Sequence, residues 1–367
     1  MQEVISSDRP NLPRTFQIAN TIPLNSQKKA RILGKLYGTA MEFLRPERIR
    51  ELKAEWTEYT GHTDGALNTE WYEYLAHYLV YGVTPDEYHC FHFSEMNDQG
   101  KRNYVTDLSR LKIYEKANSR KYDPIFDSKY QTYLKYKEYF RRDIILVNGD
   151  CDEFRAFLKR HDRFICKPVH LYLGRGIYIV RTADWDDPED LLAKLLSNGE
   201  VVLEQLIDQS SEMSSLHPES LNTVRIITFR TDQGVVMLGA FLKAGRDMSV
   251  VDNAGSGGMF ASIDIETGIV TGCAMDKNGR EYLLHPNTKV CFPGFVIPEW
   301  EKALALCREL MEITPQTRYV GWDLAHTDTG WVVVEGNHTG QFEAHQILTK
   351  RGCAKEIEEL LGQMSHE

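Results

Sequence analysis

The segment DLAHTDTGWVVVEGN, residues 323–337, holds the most specific chemistry in the chain. Asp323 closes one apolar run, HTDTG reads as a turn, and WVVVEGN returns. A hairpin of that length sets Asp323 and Glu335 on adjacent strands. Glu335 and Asn337 are two apart, so both project from one face. Two carboxylates and an amide oxygen form a hard, oxygen-rich set suited to Mg²⁺ that also holds phosphate oxygens. Glu95-Met96-Asn97 repeats the Glu-x-Asn fragment, but no acidic residue precedes it on a strand.

Further polar groups sit at the ends of apolar runs. Lys167 ends RFICKP, and Pro168 fixes the direction in which its ammonium points. Six residues after Pro168 come Gly174-Arg175-Gly176, where backbone N–H groups can approach an anion closely. The same residues also suit a hairpin turn beside an ordinary surface lysine. VVLEQLI runs into Glu204, Gln205, Leu206 and Ile207, a backbone edge that matches either a flat heterocycle or a plain edge strand. Arg225 lies among apolar neighbours in NTVRIITF, a costly position for a charge unless it is paired or faces a ligand. Lys243 ends GVVMLGAFLK, and a glycine-rich loop follows, Asp252 to Gly258, containing Asn253, Gly257 and Gly258. A long hairpin turn near a salt bridge accounts for that loop equally well.

The elements that must position these groups divide the chain. Residues 1–122 read as mainly helical, with helices expected over 45–60 and 67–82, where Leu67, Trp71, Leu75 and Tyr78 fall on one face. The aromatic run YGVTPDEYHCFHF is read as core. From about 143 onward short β-branched runs recur, several alternating apolar with polar residues as half-buried antiparallel strands do. Helices are expected at 187–197, 298–311 and 354–363. The fold class is α+β, with a helical front and a sheet-rich back. Segment 101–142 carries 12 Lys/Arg against 5 Asp/Glu with interleaved tyrosines. It fits a solvated helix face or a basic rim around a phosphate site better than a polyanion surface.

Composition removes several function classes. The 367 residues hold 43 Lys+Arg against 53 Asp+Glu, a net charge of −10 that disfavours non-specific nucleic-acid binding. No run of about 18 apolar residues predicts membrane insertion. The first residues lack the apolar core of a signal peptide, so a cytoplasmic location is expected. The seven cysteines (90, 151, 166, 273, 291, 307 and 353) form no CxxC, and the histidines form no HExxH, so neither a disulfide framework nor a zinc site is indicated. Walker, Rossmann and kinase signatures are absent.

The ordered series resembles the ATP-grasp superfamily over roughly 123–350: strand lysine, glycine loop, adenine-edge strand, basic strand residues, Asp, then Glu-x-Asn. HPESLNTVRIITF, VDNAGSGGMFASID and EGNHTGQFEAHQ look most like its sugar-transfer-associated branch. The resemblance implies two α+β subdomains gripping ATP between antiparallel sheets, here 123–203 and 204–367, with 1–122 as a helical region of possible substrate-binding role. It also implies that Lys129 and Lys167 contact the phosphates and that Gly174 and Gly176 close over them. By the same carry-over, Glu204, Gln205, Leu206 and Ile207 hold adenine, while Asn253, Gly257 and Gly258 belong to the nucleotide site. Asp323, Glu335 and Asn337 would bind one or two Mg²⁺ ions, and Arg225 and Lys243 would face the γ-phosphate. KPVHLYLGRGI has fewer glycines than the usual loop of this superfamily, and 1–122 does not read as its common alternating β/α front domain.

The implied activity is a carboxylate–amine ligase working through an acyl phosphate, with small-molecule carboxylate and amine substrates, sugar- or peptide-linked. The alternatives are a phosphotransferase on a small molecule or glycan precursor, and a non-catalytic ATP-binding partner in glycan assembly.

Overall fold

The computed structural model describes residues 19–61, 69–149, 151–170, 176–197, 199–247, 249, 252 and 257–365. Gly174 and Asn253 lie outside them. The chain forms two compact units. Asn118–His338 belong to one, and the described residues before Asn118 join Thr339–Glu367 in the other.

The sheet-rich unit contains two sheets, antiparallel throughout. The smaller takes β1 (Ile144–Val147), β2 (Arg163–Pro168), β3 (Tyr178–Arg181) and β4 (Val201–Gln205) in the order β1-β4-β2-β3. The larger is built from β5 (Thr223–Thr231), β6 (Gly234–Ala244), β7 (Met259–Ile263), β8 (Ala274–Met275), β9 (Glu281–Tyr282), β10 (Tyr319–Thr327) and β11 (Gly330–Asn337). Its order is β11-β10-β5-β6-β7-β8-β9. One of the β-branched runs after 143, GIVTG at 268–272, is no strand: Ile269 and Val270 form only isolated bridges, to Val296 and Ile263.

Each sheet buries an apolar face against helices. Phe164 and Leu203 of the small sheet pack with Phe154, Phe157, Leu191 and Leu195 from helices Cys151–Arg160 and Pro188–Leu196. The second helix starts where Asp187 caps the Glu189 N–H at 2.9 Å and Pro188 takes the first turn, whose donors are otherwise unpaired. Trp322, Val320 and Leu324 of the large sheet meet Ala303, Cys307, Leu310 and Met311 of helix Trp300–Ile313.

In the helical unit, Gln27–Leu44 crosses Thr69–Tyr81 so closely that a Cβ at Gly34 would lie 1.7 Å from the Tyr72 carbonyl oxygen. The C-terminal stretch Thr339–Glu367 belongs to this unit, although β11 immediately precedes it. The fully buried Gln346 accepts from Val105 N at 2.8 Å and donates to Val105 O at 2.7 Å. Ala354 N donates to Asn103 O at 2.9 Å. Among the described residues no helix is long and apolar enough to cross a membrane.

Candidate nucleotide site

β5, β6, β10 and β11 lie side by side, which turns two distant hairpins into one surface. Asp323 on β10 pairs with Arg225 of β5 on one side and Glu335 of β11 on the other. Thr223 pairs with Lys243 across β5 and β6. The β10–β11 register shifts after Asp323: Leu324 faces Val333, so Val334 is extra. Such a bulge re-aims side chains, and Val334 and Glu335 both line the same cavity. Gly336 has no room for a side chain, because a Cβ there would stand 2.7 Å from the Trp322 ring and 3.3 Å from Phe126. The strand therefore lies flat on the core between the two polar residues that flank Gly336.

The cavity brings together Lys129, Lys167, Glu204, Lys243, Asp323 and Glu335. Asp252, Thr223, Asp127 and Phe126 also line it, with Ile165 and Ile177 among its apolar walls. Lys129 opens helix Lys129–Phe140, whose N-cap Ser128 accepts from Gln131 N at 3.4 Å.

Two buried ionic networks flank the space. In the first, Glu204 receives Lys167 Nζ at 2.9 Å on one oxygen and Arg142 Nη2 at 2.6 Å on the other. Arg142 Nη1 also donates to Val333 O at 2.6 Å, tying the small sheet to β11. Burial pushes the Glu204 carboxyl up, but Lys167 and Arg142 overcome it and hold the group at about 2.

In the second network, Asp323 takes the Arg225 guanidinium on both oxygens, Nη2 standing 2.7 Å from Oδ2. Lys243 Nζ reaches Oδ2 at 3.2 Å and Asp252 Oδ1 at 3.5 Å. Asp252 in turn accepts from the Thr223 N–H at 3.0 Å and from its hydroxyl. Burial again works against the charge on Asp323, and Arg225 and Lys243 hold it at about 2. Burial disfavours the ammonium of Lys243, yet Asp252 and Asp323 raise it above the ordinary lysine value. Lys129 goes the other way: burial, with Lys167 adding, lowers it despite Glu335.

The donor set fits a hard divalent cation. No hydrogen bond from the described residues occupies the Glu335 carboxylate. The Asn337 amide nitrogen is buried without a hydrogen-bond partner among them, so nothing prevents the amide from turning its oxygen outward. Asp323 spends three of its roughly four lone-pair positions on Arg225 and Lys243, leaving about one.

The remaining expected residues lie elsewhere. Arg225 and Asn337 do not line the cavity, and Arg225 reaches it through Asp323. The small-sheet strand ends at Gln205, whose side chain accepts from Asp143 N at 3.2 Å, and Leu206 and Ile207 follow outside it. Gly176 and Gly257 adopt left-handed backbone, φ 71° and 92°, which suits glycine. Gly258 leads directly into β7. Sequence reasoning missed Arg142, which has no local signature in YFRRDII, as well as the cavity positions Asp127 and Thr223.

Two antiparallel sheets enclosing such a cavity, one carrying the strand lysine and the other the Asp and Glu-x-Asn, define the ATP-grasp fold. The chain belongs to the sugar-transfer-associated ATP-grasp family, whose model matches residues 109–360. No curated protein matches it. Among solved structures it is similar to the ATP-grasp ligase PsnB complexed with minimal precursor, at 15% identity over 71% of this chain and 68% of that one, TM-score 0.42. The ADP complex of purK, N5-carboxyaminoimidazole ribonucleotide synthetase, matches at 12% over 66% and 53%, TM-score 0.42. D-alanine-D-alanine ligase from Helicobacter pylori matches at 13% over 68% and 61%, TM-score 0.39. The chain thus spans less than two thirds of the last two.

Proposed function

We propose that the protein is an ATP- and Mg²⁺-dependent carboxylate–amine ligase of the cytoplasm, joining small-molecule, sugar- or peptide-linked substrates. The observation that carries this reading is the convergence of Lys129, Lys167 and Lys243 with Asp323 and Glu335 on one cavity. Cations suit the phosphates of a nucleotide, and the free carboxylate suits the metal that accompanies it.

In this reading Glu335 and Asn337, with the remaining lone pair of Asp323, hold one or two Mg²⁺ ions. The metal supplies charge neutralisation on the phosphate oxygens. Lys129 and Lys167 hold the inner phosphates, and the loops containing Gly174, Gly176, Asn253, Gly257 and Gly258 cover them. The edge Glu204 to Ile207 takes adenine. Lys243 faces the γ-phosphate, and Arg225, acting through Asp323, fixes the direction of that ammonium.

A substrate carboxylate oxygen attacks the γ-phosphorus, forming an O–P bond as the bridging P–O bond breaks and ADP leaves. The amine nitrogen then attacks the acyl carbon, loses a proton, and phosphate departs. Nothing in this sequence requires a covalent enzyme nucleophile; positioning and charge supply the rate. Residues 123–203 and 204–338 serve as the two gripping subdomains, and the helical unit, which includes Thr339–Glu367, takes part in substrate selection.

The test is an ADP-release screen with Mg²⁺-ATP against pooled carboxylates and amines, followed by product mass spectrometry. An amide product with free phosphate supports the ligase. An organic product that retains phosphate replaces it with a phosphotransferase. ADP release in no pool rejects the catalytic reading.

A further inference from the structure

The first part of the basic stretch, residues 101–116, is not accounted for by the nucleotide site. Four of its cations, Lys101, Arg102, Lys112 and Lys116, line a second cavity that lies wholly within the helical unit. Lys112 and Lys116 stand four apart on helix Arg110–Ala117, and Lys112 Nζ donates to Asn20 Oδ1 at 3.4 Å. Lys101 is 4% exposed, donates to Leu24 O at 3.1 Å and lies over the Tyr81 ring. Burial lowers the Lys101 ammonium to about 8, although Asp98 and Glu73 oppose it. Lys112 is likewise lowered by burial, with Lys116 and Arg102 adding.

Carboxylates offset part of this charge. Asp98 takes Arg102 Nε at 2.8 Å, and Glu358 lines the cavity. The guanidinium is also committed elsewhere, Nη1 to Asn20 O at 2.6 Å and Nη2 to Ile22 O at 3.1 Å. No planar fork is left to grip a carboxylate two-handedly. What the cavity offers is the ammonium groups of Lys101, Lys112 and Lys116, each with three donors, of which Lys101 gives one to Leu24 O and Lys112 one to Asn20 Oδ1; their charge suits a compact dianion. Beside them Tyr104, Ile113 and Leu361 give an apolar wall.

We propose that this cavity is a second ligand site, binding a phosphate monoester whose phosphate sits among Lys101, Lys112 and Lys116 and whose apolar or aromatic body lies against Tyr104, Ile113 and Leu361. The ligand is distinct from the nucleotide, and its site does not depend on the ligase reading.

Phenyl phosphate is the probe, titrated calorimetrically into the whole chain carrying Lys167→Ala, so that the nucleotide cavity contributes little. Saturable binding is expected, weakened about tenfold or more when Lys112→Gln and Lys116→Gln are added. Both side chains reach solvent, so the folded state should survive, as an unchanged melting temperature without probe verifies. Inorganic phosphate should bind more weakly than phenyl phosphate, for want of a body. The site is overturned if the lysine variant binds as tightly as its parent, or if no saturable binding occurs. Benzoate binding as well as phenyl phosphate overturns the phosphate assignment. Failure of the ADP-release screen leaves every one of these outcomes intact.

Discussion

Arg142 donates through both Nε and Nη2 to a single oxygen of Glu204, at 3.0 and 2.6 Å, and leaves the other oxygen to Lys167. The lysine is therefore placed by a residue that does not line the cavity. Through Val333 O the same guanidinium is anchored to the strand bearing Glu335. One buried side chain thus sets the spacing between the two sheets that hold the site.

Arg142→Met should destabilise the protein by about 3–5 kcal/mol, since it removes one partner of a buried pair together with the tie to Val333 O. Urea unfolding measures this. A loss under about 1 kcal/mol, the range of exposed pairs, would show that the pair does not brace the sheets.

Glu335→Gln and Lys167→Ala should fail differently. The first should lower turnover by at least about a hundredfold while the melting temperature holds, because it weakens a charge that acts on the reacting phosphate. The second should weaken ATP binding about tenfold or more, with Glu204 still ionised by Arg142. Calorimetric ATP titration alongside ADP release separates them, and equal nucleotide affinity in the Lys167 variant would remove that residue from the phosphates.

Gly336→Ala puts a methyl group against Trp322. Overpacking of this kind costs about 1–3 kcal/mol, and the strand must lift between Glu335 and Asn337. Thermal melts should fall, and the Mg²⁺ concentration for half-maximal ADP release should rise. A drop in stability with unchanged Mg²⁺ dependence would separate packing from metal binding.

Acid should weaken the sheet-rich unit. Glu204 and Asp323 are held at about 2, below their ordinary 4.5 and 3.8. A depressed carboxyl contributes stability that is present above its unfolded value and is lost as pH falls through the folded one. Unfolding free energy should therefore decline from about pH 4.5 towards pH 2, and Glu204→Gln should make that decline shallower. A parallel decline in the variant would assign the acid sensitivity to other groups.

The α+β class, the succession of strand runs along the chain and the pairing of Asp323 with Glu335 across a hairpin were legible in the sequence, because apolar runs ending in polar residues are local patterns. That Lys167 and Lys243 join them followed from the resemblance alone. Arg142 was not, since its partners Glu204 and Val333 lie 62 and 191 positions away. The bulge at Val334 was equally hidden: strict alternation would have turned Val334 away from Glu335, and only the pairing with β10 reveals the extra residue. The basic stretch from Lys101 was noticed as composition, but its division between two cavities depends on helix packing that composition does not encode.

The contact of Gln346 with Val105 has a consequence for synthesis. The sheet-rich unit is inserted between two halves of the helical one, so all of its strands emerge before the helical core can be completed. At about 5–20 residues per second, Val105 waits roughly 10–50 seconds for its partner. Throughout that interval the helices stand open, and the nucleotide cavity is itself complete only once Glu335 has emerged, shortly before Gln346; the chaperone demand of this protein falls on its front end.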